Sequence, residues 1–135
     1  MVDILYTVDK QCQLCGQSFA VTKVRSRLSM VKQDQDFCTY YKEVNPYYYA
    51  IWVCPHCGYA AQDTYFNEIS TNGEQKLREF LDHRRVNVHF AGERTRTQAI
   101  DSYILAIFYD VLFQVSSSRL AGLYLKLAWL YRENE

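Results

Sequence analysis

Two short motifs of one design, Cys12-Gln13-Leu14-Cys15-Gly16 and Cys54-Pro55-His56-Cys57-Gly58, constrain this chain more than anything else in it. Each Cys-x-x-Cys pair forms a tight turn that aims two sulfurs at one ion, and the glycine behind it supplies the left-handed backbone such turns use. Two turns then make a closed tetrahedral set, Cys12, Cys15, Cys54 and Cys57, for one structural Zn2+ per chain. Zinc accepts four thiolates without redox chemistry, and a four-sulfur shell leaves no position for a catalytic water. The interval 16–53 is 38 residues long, more than the roughly 15–20 of compact ribbons. An inserted hairpin must therefore fold back to join the halves.

The remaining cysteine and histidines add little to this set. Cys38, in Asp36-Phe37-Cys38-Thr39-Tyr40-Tyr41, reads as a small apolar core residue ahead of a fifth thiol near the metal. His56 lies between ligands and is expected to face solvent. His83 and His89 are too far apart to share a helical face. Cys54-Pro55-His56-Cys57 also matches an oxidoreductase active site, in which a helix N-terminus acidifies the first thiol. Here Gly58 stands where that helix would continue, and the only other proline, Pro46, lies upstream.

The segments around these motifs predict an α+β fold. Residues 3–60 are rich in β-branched and aromatic side chains, with alternation at Phe19 and Val21, at Leu28 and Met30, and a dense run from Tyr47 to Val53. Three or four short strands are expected, with Asn45-Pro46 as the turn before the last. From about Asp63 the period becomes helical at Phe66, Ile69, Leu77, Phe80 and Leu81, with Asn72-Gly73 between two short helices. A connecting segment covers roughly 84–93. Ile100, Tyr103, Ile104, Ile107, Phe108, Val111 and Leu112 then define an amphipathic helix starting near 96, where Thr95-x-x-Gln98 forms a capping box. Ser116 to Ser118 offers a new N-cap, after which Leu120, Leu123, Tyr124, Leu127, Leu130 and Tyr131 repeat the spacing. The organisation is a zinc-ribbon-like β domain, 1–62, followed by a helical segment, 63–135, that ends in an antiparallel hairpin. The second helix of that hairpin carries Ala121, Leu125, Ala128 and Trp129 on its other sides, so one neighbouring helix cannot cover it. A protein partner or a second copy of the chain is expected there.

Charge and glycine placement exclude several function classes. Fifteen Lys and Arg balance fifteen Asp and Glu, so no acidic tail or basic arm names a partner. The five glycines are never closer than 15 residues apart, which removes every glycine-rich phosphate loop. Tyr40, Tyr41, Tyr47, Tyr48, Tyr49 and Trp52 could stack bases while Lys23, Arg25, Arg27 and Lys32 met phosphates. Residues 1–60, however, hold six basic and five acidic side chains, and a tetrathiolate zinc adds about two negative charges. A nucleic-acid-binding ribbon is thus the second reading and a thiol oxidoreductase the third, behind a non-enzymatic zinc-binding interaction module. Arg84-Arg85, Arg94 and Arg96 read as a solvated basic zone rather than an anion site. Acidic Asp3 in place of a basic n-region, five cysteines without a secretory signal, and no apolar run near 18 residues point to a cytoplasmic protein without a membrane span.

Beyond the cysteine motifs, the order Val24-Arg25-Ser26, Asp34-x-Asp36-Phe37-Cys38, Asn45-Pro46-x-Tyr48, Trp52-Val53-Cys54-Pro55-x-Cys57-Gly58-Tyr59-Ala60-Ala61, Glu93-Arg94-Thr95 and Ala121-Gly122-Leu123-Tyr124-Leu125-x-Leu127-Ala128-Trp129-Leu130-Tyr131-Arg132 resembles the bacterial family called domain of unknown function 2225. The likeness spans nearly the whole chain. It implies a zinc-ribbon-like N-terminal part followed by helices similar to tetratricopeptide repeats, and it carries Cys12, Cys15, Cys54 and Cys57 over as metal ligands. Ala99-Ile100-x-x-Tyr103-x-x-Ala106, with Leu127, Ala128, Trp129 and Tyr131 on the next helix, has the small and large residues of stacked helical hairpins, but one hairpin is fewer than the roughly three repeats such arrays need, and an ordinary helical hairpin docked on the ribbon fits the pattern equally.

Overall fold

A computed structural model describes residues 4–25, 28–69, 71–81, 90 and 92–133, with the backbone alone for 71, 72, 77, 80 and 81. Six short strands, β1 (Leu5–Gln11), β2 (Ser18–Val24), β3 (Met30–Gln33), β4 (Thr39–Tyr41), β5 (Ile51–Val53) and β6 (Ala60–Gln62), form three antiparallel pairs. The chain ends in helices α1 (Thr71–Leu81), α2 (Arg96–Leu112) and α3 (Ser117–Arg132). The fold is α+β, as expected, but the strand count is higher than the three or four anticipated. β5 and β6 are too short to show alternation, and a 3₁₀ turn at Pro46–Tyr49, capped by the Asn45 side chain on the Tyr47 amide, occupies the start of the expected 47–53 strand.

Each cysteine motif is the turn of a hairpin. β1 pairs with β2 in the register Val8↔Val21 around Cys12–Gln17, and β5 pairs with β6 in the register Val53↔Ala60 around Cys54–Tyr59. The third pair, β3–β4, is the hairpin inserted between them. It is docked on the last turn of α3: Arg132 binds Asp34 at 3.1 Å and Asp36 at 2.8 Å, and the Trp129 indole N–H donates to Asp36 at 2.9 Å.

Phe66 is the hub of the core, fully buried with its ring 5.6 Å from Phe19, 5.8 Å from Trp52 and 5.1 Å from Tyr59. The segment that carries it is not the short helix the spacing predicts. Residues 63–67 form successive turns, through Tyr65 N–H to the Gln62 carbonyl and Glu68 N–H to the Tyr65 carbonyl. Asn72-Gly73 lies inside α1 rather than between two helices. The connecting segment falls largely outside the described residues, as do Arg84, Arg85, His83 and His89.

α2 begins at the predicted capping box. The Thr95 hydroxyl accepts from the Gln98 amide and the Gln98 side chain accepts from the Thr95 amide. Its buried arc is rotated from the expected stripe. Ile100, Tyr103 and Ile107 of that stripe are buried, but so are Ala99, Ser102, Ala106 and Tyr109 on the next flank, while Ile104, Phe108 and Val111 are exposed. Small side chains on the inner arc let the helix backbone approach β5 and β6 closely, which outweighs the gain from burying larger residues. α3 runs antiparallel to α2, since Arg96 donates to the Leu130 and Tyr131 carbonyls at one end and Arg119 pairs with Asp110 at the other. Leu123 and Leu130 are buried, whereas Tyr124 and Tyr131 of the expected stripe are exposed. Buried residues from the strands and from both long helices form one continuous core cluster.

Candidate metal centre

The two knuckles are built by the same hydrogen bonds. Gly16 N–H donates to the Cys12 carbonyl and Gly58 N–H to the Cys54 carbonyl, each at 2.8 Å. Cys12 N–H donates to the Gln17 carbonyl at 3.0 Å and Cys54 N–H to the Tyr59 carbonyl at 2.9 Å. Gly16 and Gly58 have φ of 75° and 81°, where a side chain is strained. The glycine following each second cysteine is thus what lets the turn close.

The knuckles face one another across the core. Cys12 Sγ is 3.7 Å from Cys57 Sγ and Cys15 Sγ is 3.6 Å from Cys54 Sγ, and the four sulfurs lie within 4.8 Å of one another. All four are free thiols. A tetrahedron with metal–sulfur bonds of about 2.3 Å has edges of about 3.8 Å, so the donor spacing fits one thiophilic ion. Cys12 and Cys54 are buried, with Cys15 and Cys57 half-buried. Without a metal the sulfurs are close enough to hydrogen-bond to one another. Hydrogen bonds from Cys12 and then Cys57 hold Cys54 well below the usual thiol range, and the bond to Cys54 is the largest influence pushing Cys12 up to about 12. Cys57 is raised by Cys12 and then by Cys54. A metal would replace the protons of those bonds.

Contacts around the sulfurs fix the knuckles to the rest of the fold. The buried Tyr109 hydroxyl on α2 donates to the Gly58 carbonyl at 3.0 Å. Gln13 clamps the Ile69 backbone, donating to its carbonyl at 3.2 Å and accepting from its amide at 3.4 Å. His56 is exposed, and its Nε2 donates to the Ser18 carbonyl at 3.1 Å, which ties the second knuckle to β2. Neither Tyr109 nor Gln13 is legible as a site residue in the sequence, because a tyrosine on a helix face and a glutamine inside a turn carry no signal beyond core and surface. Cys38 is buried outside the four-sulfur group, beside the β3–β4 turn, where burial raises its thiol.

The aromatic and basic candidates are placed for packing. Tyr47 lies 5.1 Å from Trp129 and its hydroxyl accepts from the Thr39 amide at 3.2 Å; Tyr48 donates to Glu133 at 3.0 Å; Tyr49 and Trp52 are buried. Arg25 lies over Tyr6 and Lys32 over Tyr40. Arg94 departs from the solvated zone expected of it. It is 7% exposed, and its guanidinium donates to the Phe90 and Tyr48 carbonyls. Burial outweighs the neighbouring tyrosines and lowers it to about 10.

The family model of DUF2225, described as an uncharacterized protein conserved in bacteria, matches residues 5–135. The chain belongs to DUF2225. Comparison of this DUF2225 chain with curated proteins and with solved structures gives no match. Among the described residues, no helix is long and apolar enough to cross a membrane.

Proposed function

We propose that this DUF2225 protein is a cytoplasmic, non-enzymatic module in which Cys12, Cys15, Cys54 and Cys57 hold one structural Zn2+ and the apolar helix faces bind a protein. The observation that carries the reading is the closed four-sulfur group between two knuckles built on the same backbone hydrogen bonds. Four thiolates satisfy a zinc ion completely, and zinc binding in small modules supplies about 10–16 kcal/mol of apparent free energy. Cys54 starts a turn between two strands, so it lacks the helix N-terminus that activates a redox thiol. The helical layer supports the interaction role. Ile104, Val111, Tyr124, Leu125 and Tyr131 are exposed on α2 and α3, more apolar side chains than a helical pair with no partner needs to leave in water.

Elemental analysis of native protein should give one zinc per chain, and Cys54→Ser should lose the metal and the cooperative melt. An unchanged melt refutes the structural role of the metal. Sedimentation should give a mass above 15.9 kDa for the chain alone or with its captured partner, and Val111→Glu with Leu125→Glu should abolish the association while leaving zinc content unchanged. A monomer with no partner refutes the interaction role.

A further inference from the structure

We propose that the concavity between the β1–β2 hairpin, the 3₁₀ turn and α3 binds the phosphate group of a small molecule, held by Lys23 and Lys126 against Trp52 and Tyr49. The concavity measures about 290 Å³, close to the lower end, about 300 Å³, of small-ligand sites. Its two lysines come from β2 and α3, and among the described residues neither has a carboxylate within ion-pair distance.

The hairpin register makes the placement of lysine unusual. Tyr6↔Lys23, Val8↔Val21 and Lys10↔Phe19 are directly opposed, so Lys10 and Lys23 share the inward face with Val8, Val21 and Phe19. Both ammonium groups reach Trp52, at 5.5 Å and 6.0 Å from its ring centre. A face that packs on the core would be served by apolar residues, yet two of its six positions here are cationic. Behind the Tyr49 wall lies Arg94, its guanidinium carbon 6.0 Å from the Tyr49 ring and its backbone N–H donating to the Tyr49 hydroxyl at 3.1 Å. Its guanidinium charge is buried with no carboxylate partner among the described residues. Lys10 and Arg94 stand outside the lining; within it Lys23 and Lys126 face one carboxylate, Asp63, oriented by the Thr64 amide at 2.8 Å. The excess of positive charge in a partly enclosed site favours an anion, and a phosphate dianion matches two compact ammonium groups better than a single carboxylate does.

The test is a titration of the metal-loaded, 15N-labelled protein with inorganic phosphate and, in a second arm, with glycerol 3-phosphate, at constant ionic strength. Saturable amide shifts are expected at Val24, Ala50, Asp63 and Lys126. Tighter binding of the ester assigns the site to phosphomonoesters, and equal binding assigns it to free phosphate. Lys23→Met and Lys126→Met, which keep the aliphatic stems, should each weaken binding about tenfold, and Asp63→Asn should tighten it about threefold. Circular dichroism melts establish that each variant is folded. Linear, unsaturable shifts, saturable shifts elsewhere, or unchanged binding by both folded lysine variants would overturn the proposal. So would a single-stranded oligonucleotide that binds these residues more tightly per phosphate than either small ligand.

Discussion

Replacing Tyr109 by Phe isolates the link between the helical layer and the second knuckle. The ring keeps its packing, 5.4 Å from Tyr59 at 62° and 5.3 Å from Phe108 at 75°, and only the hydroxyl is lost. Its bond to the Gly58 carbonyl is 3.0 Å long and buried, and Gly58 itself is buried. A buried carbonyl without a donor costs about 1–3 kcal/mol. For a chain of 135 residues, that lowers the melting temperature by about 4–10 °C. The more telling consequence is kinetic. Gly58 N–H also closes the turn on the Cys54 carbonyl, so releasing the other side of this residue lowers the cost of opening the knuckle locally. Zinc release into excess chelator, measured well below the melt, should be about tenfold faster, as for outer-shell partners of metal ligands generally. Tyr103→Phe is the control. Its hydroxyl donates to the Tyr47 carbonyl at 2.7 Å, a bond on the 3₁₀ turn that is only part-buried, so its loss should cost somewhat less stability and leave the release rate within about twofold. Release accelerated equally in both variants, or a Tyr109→Phe melt within about 1 °C of the parent, would refute the coupling.

Three further outcomes follow from individual residues. A Cβ built on Gly16 meets nothing within 4 Å, so the whole cost of Gly16→Ala is its φ of 75°; calorimetry should show a loss of about 1–2 kcal/mol, and Gly16→Asn a smaller one. Phe37, 73% exposed at φ 71°, pays the same strain without a burial gain; Phe37→Gly should raise the melting temperature by a few degrees, about 0.5–1 kcal/mol, and a lower melt would reveal packing that exposure does not. Arg132 and then the Trp129 indole hold the Asp36 carboxyl well below the usual range. A depressed folded value means the stabilisation is full above the unfolded value, near 3.9, and is lost as pH falls toward the folded one. The advantage of the parent over Asp36→Asn should therefore be complete at about pH 6 and smaller at about pH 3, read from paired melts.

What was legible in the sequence is what local chemistry dictates. The Cys-x-x-Cys-Gly turns, the Thr95 capping box and the Ser116 cap depend on residues within a few positions of one another, and each sits where its motif puts it. The errors share a different cause. The apolar stripe on α2 places Ile100, Tyr103 and Ile107 correctly but misses the other edge of the buried arc, because Ala99, Ser102 and Ala106 allow close approach to β5–β6, a property of the surface opposite and not of the helix. Arg94 reads as a surface charge because its acceptors are the Phe90 and Tyr48 carbonyls, and the Tyr48 one lies far away in the chain. Phe66 reads as one residue of a helix, although its burial among Phe19, Trp52 and Tyr59 is what holds a run of turns in place.

The same contrast bears on how far a lost metal would be felt. Two thiol pairs, at 3.7 Å and 3.6 Å, retain weak mutual bonds without an ion, but weak donors of this kind cannot by themselves hold two hairpins against the entropy of the 38-residue interval that separates the knuckles. Beyond the apolar packing of both hairpins on Phe66, three hydrogen-bonded anchors oppose that loss: Tyr109 on Gly58, Gln13 on Ile69 and His56 on Ser18. Only the first is buried, and water can replace the other two. Metal removal should accordingly free the first knuckle before the second, since Tyr109 continues to pin the second to α2. Hydrogen exchange in metal-free protein should then show the Gly16 amide losing protection ahead of the Gly58 amide, and simultaneous loss would mean that the ion, and not the tyrosine, holds the second hairpin on the helices.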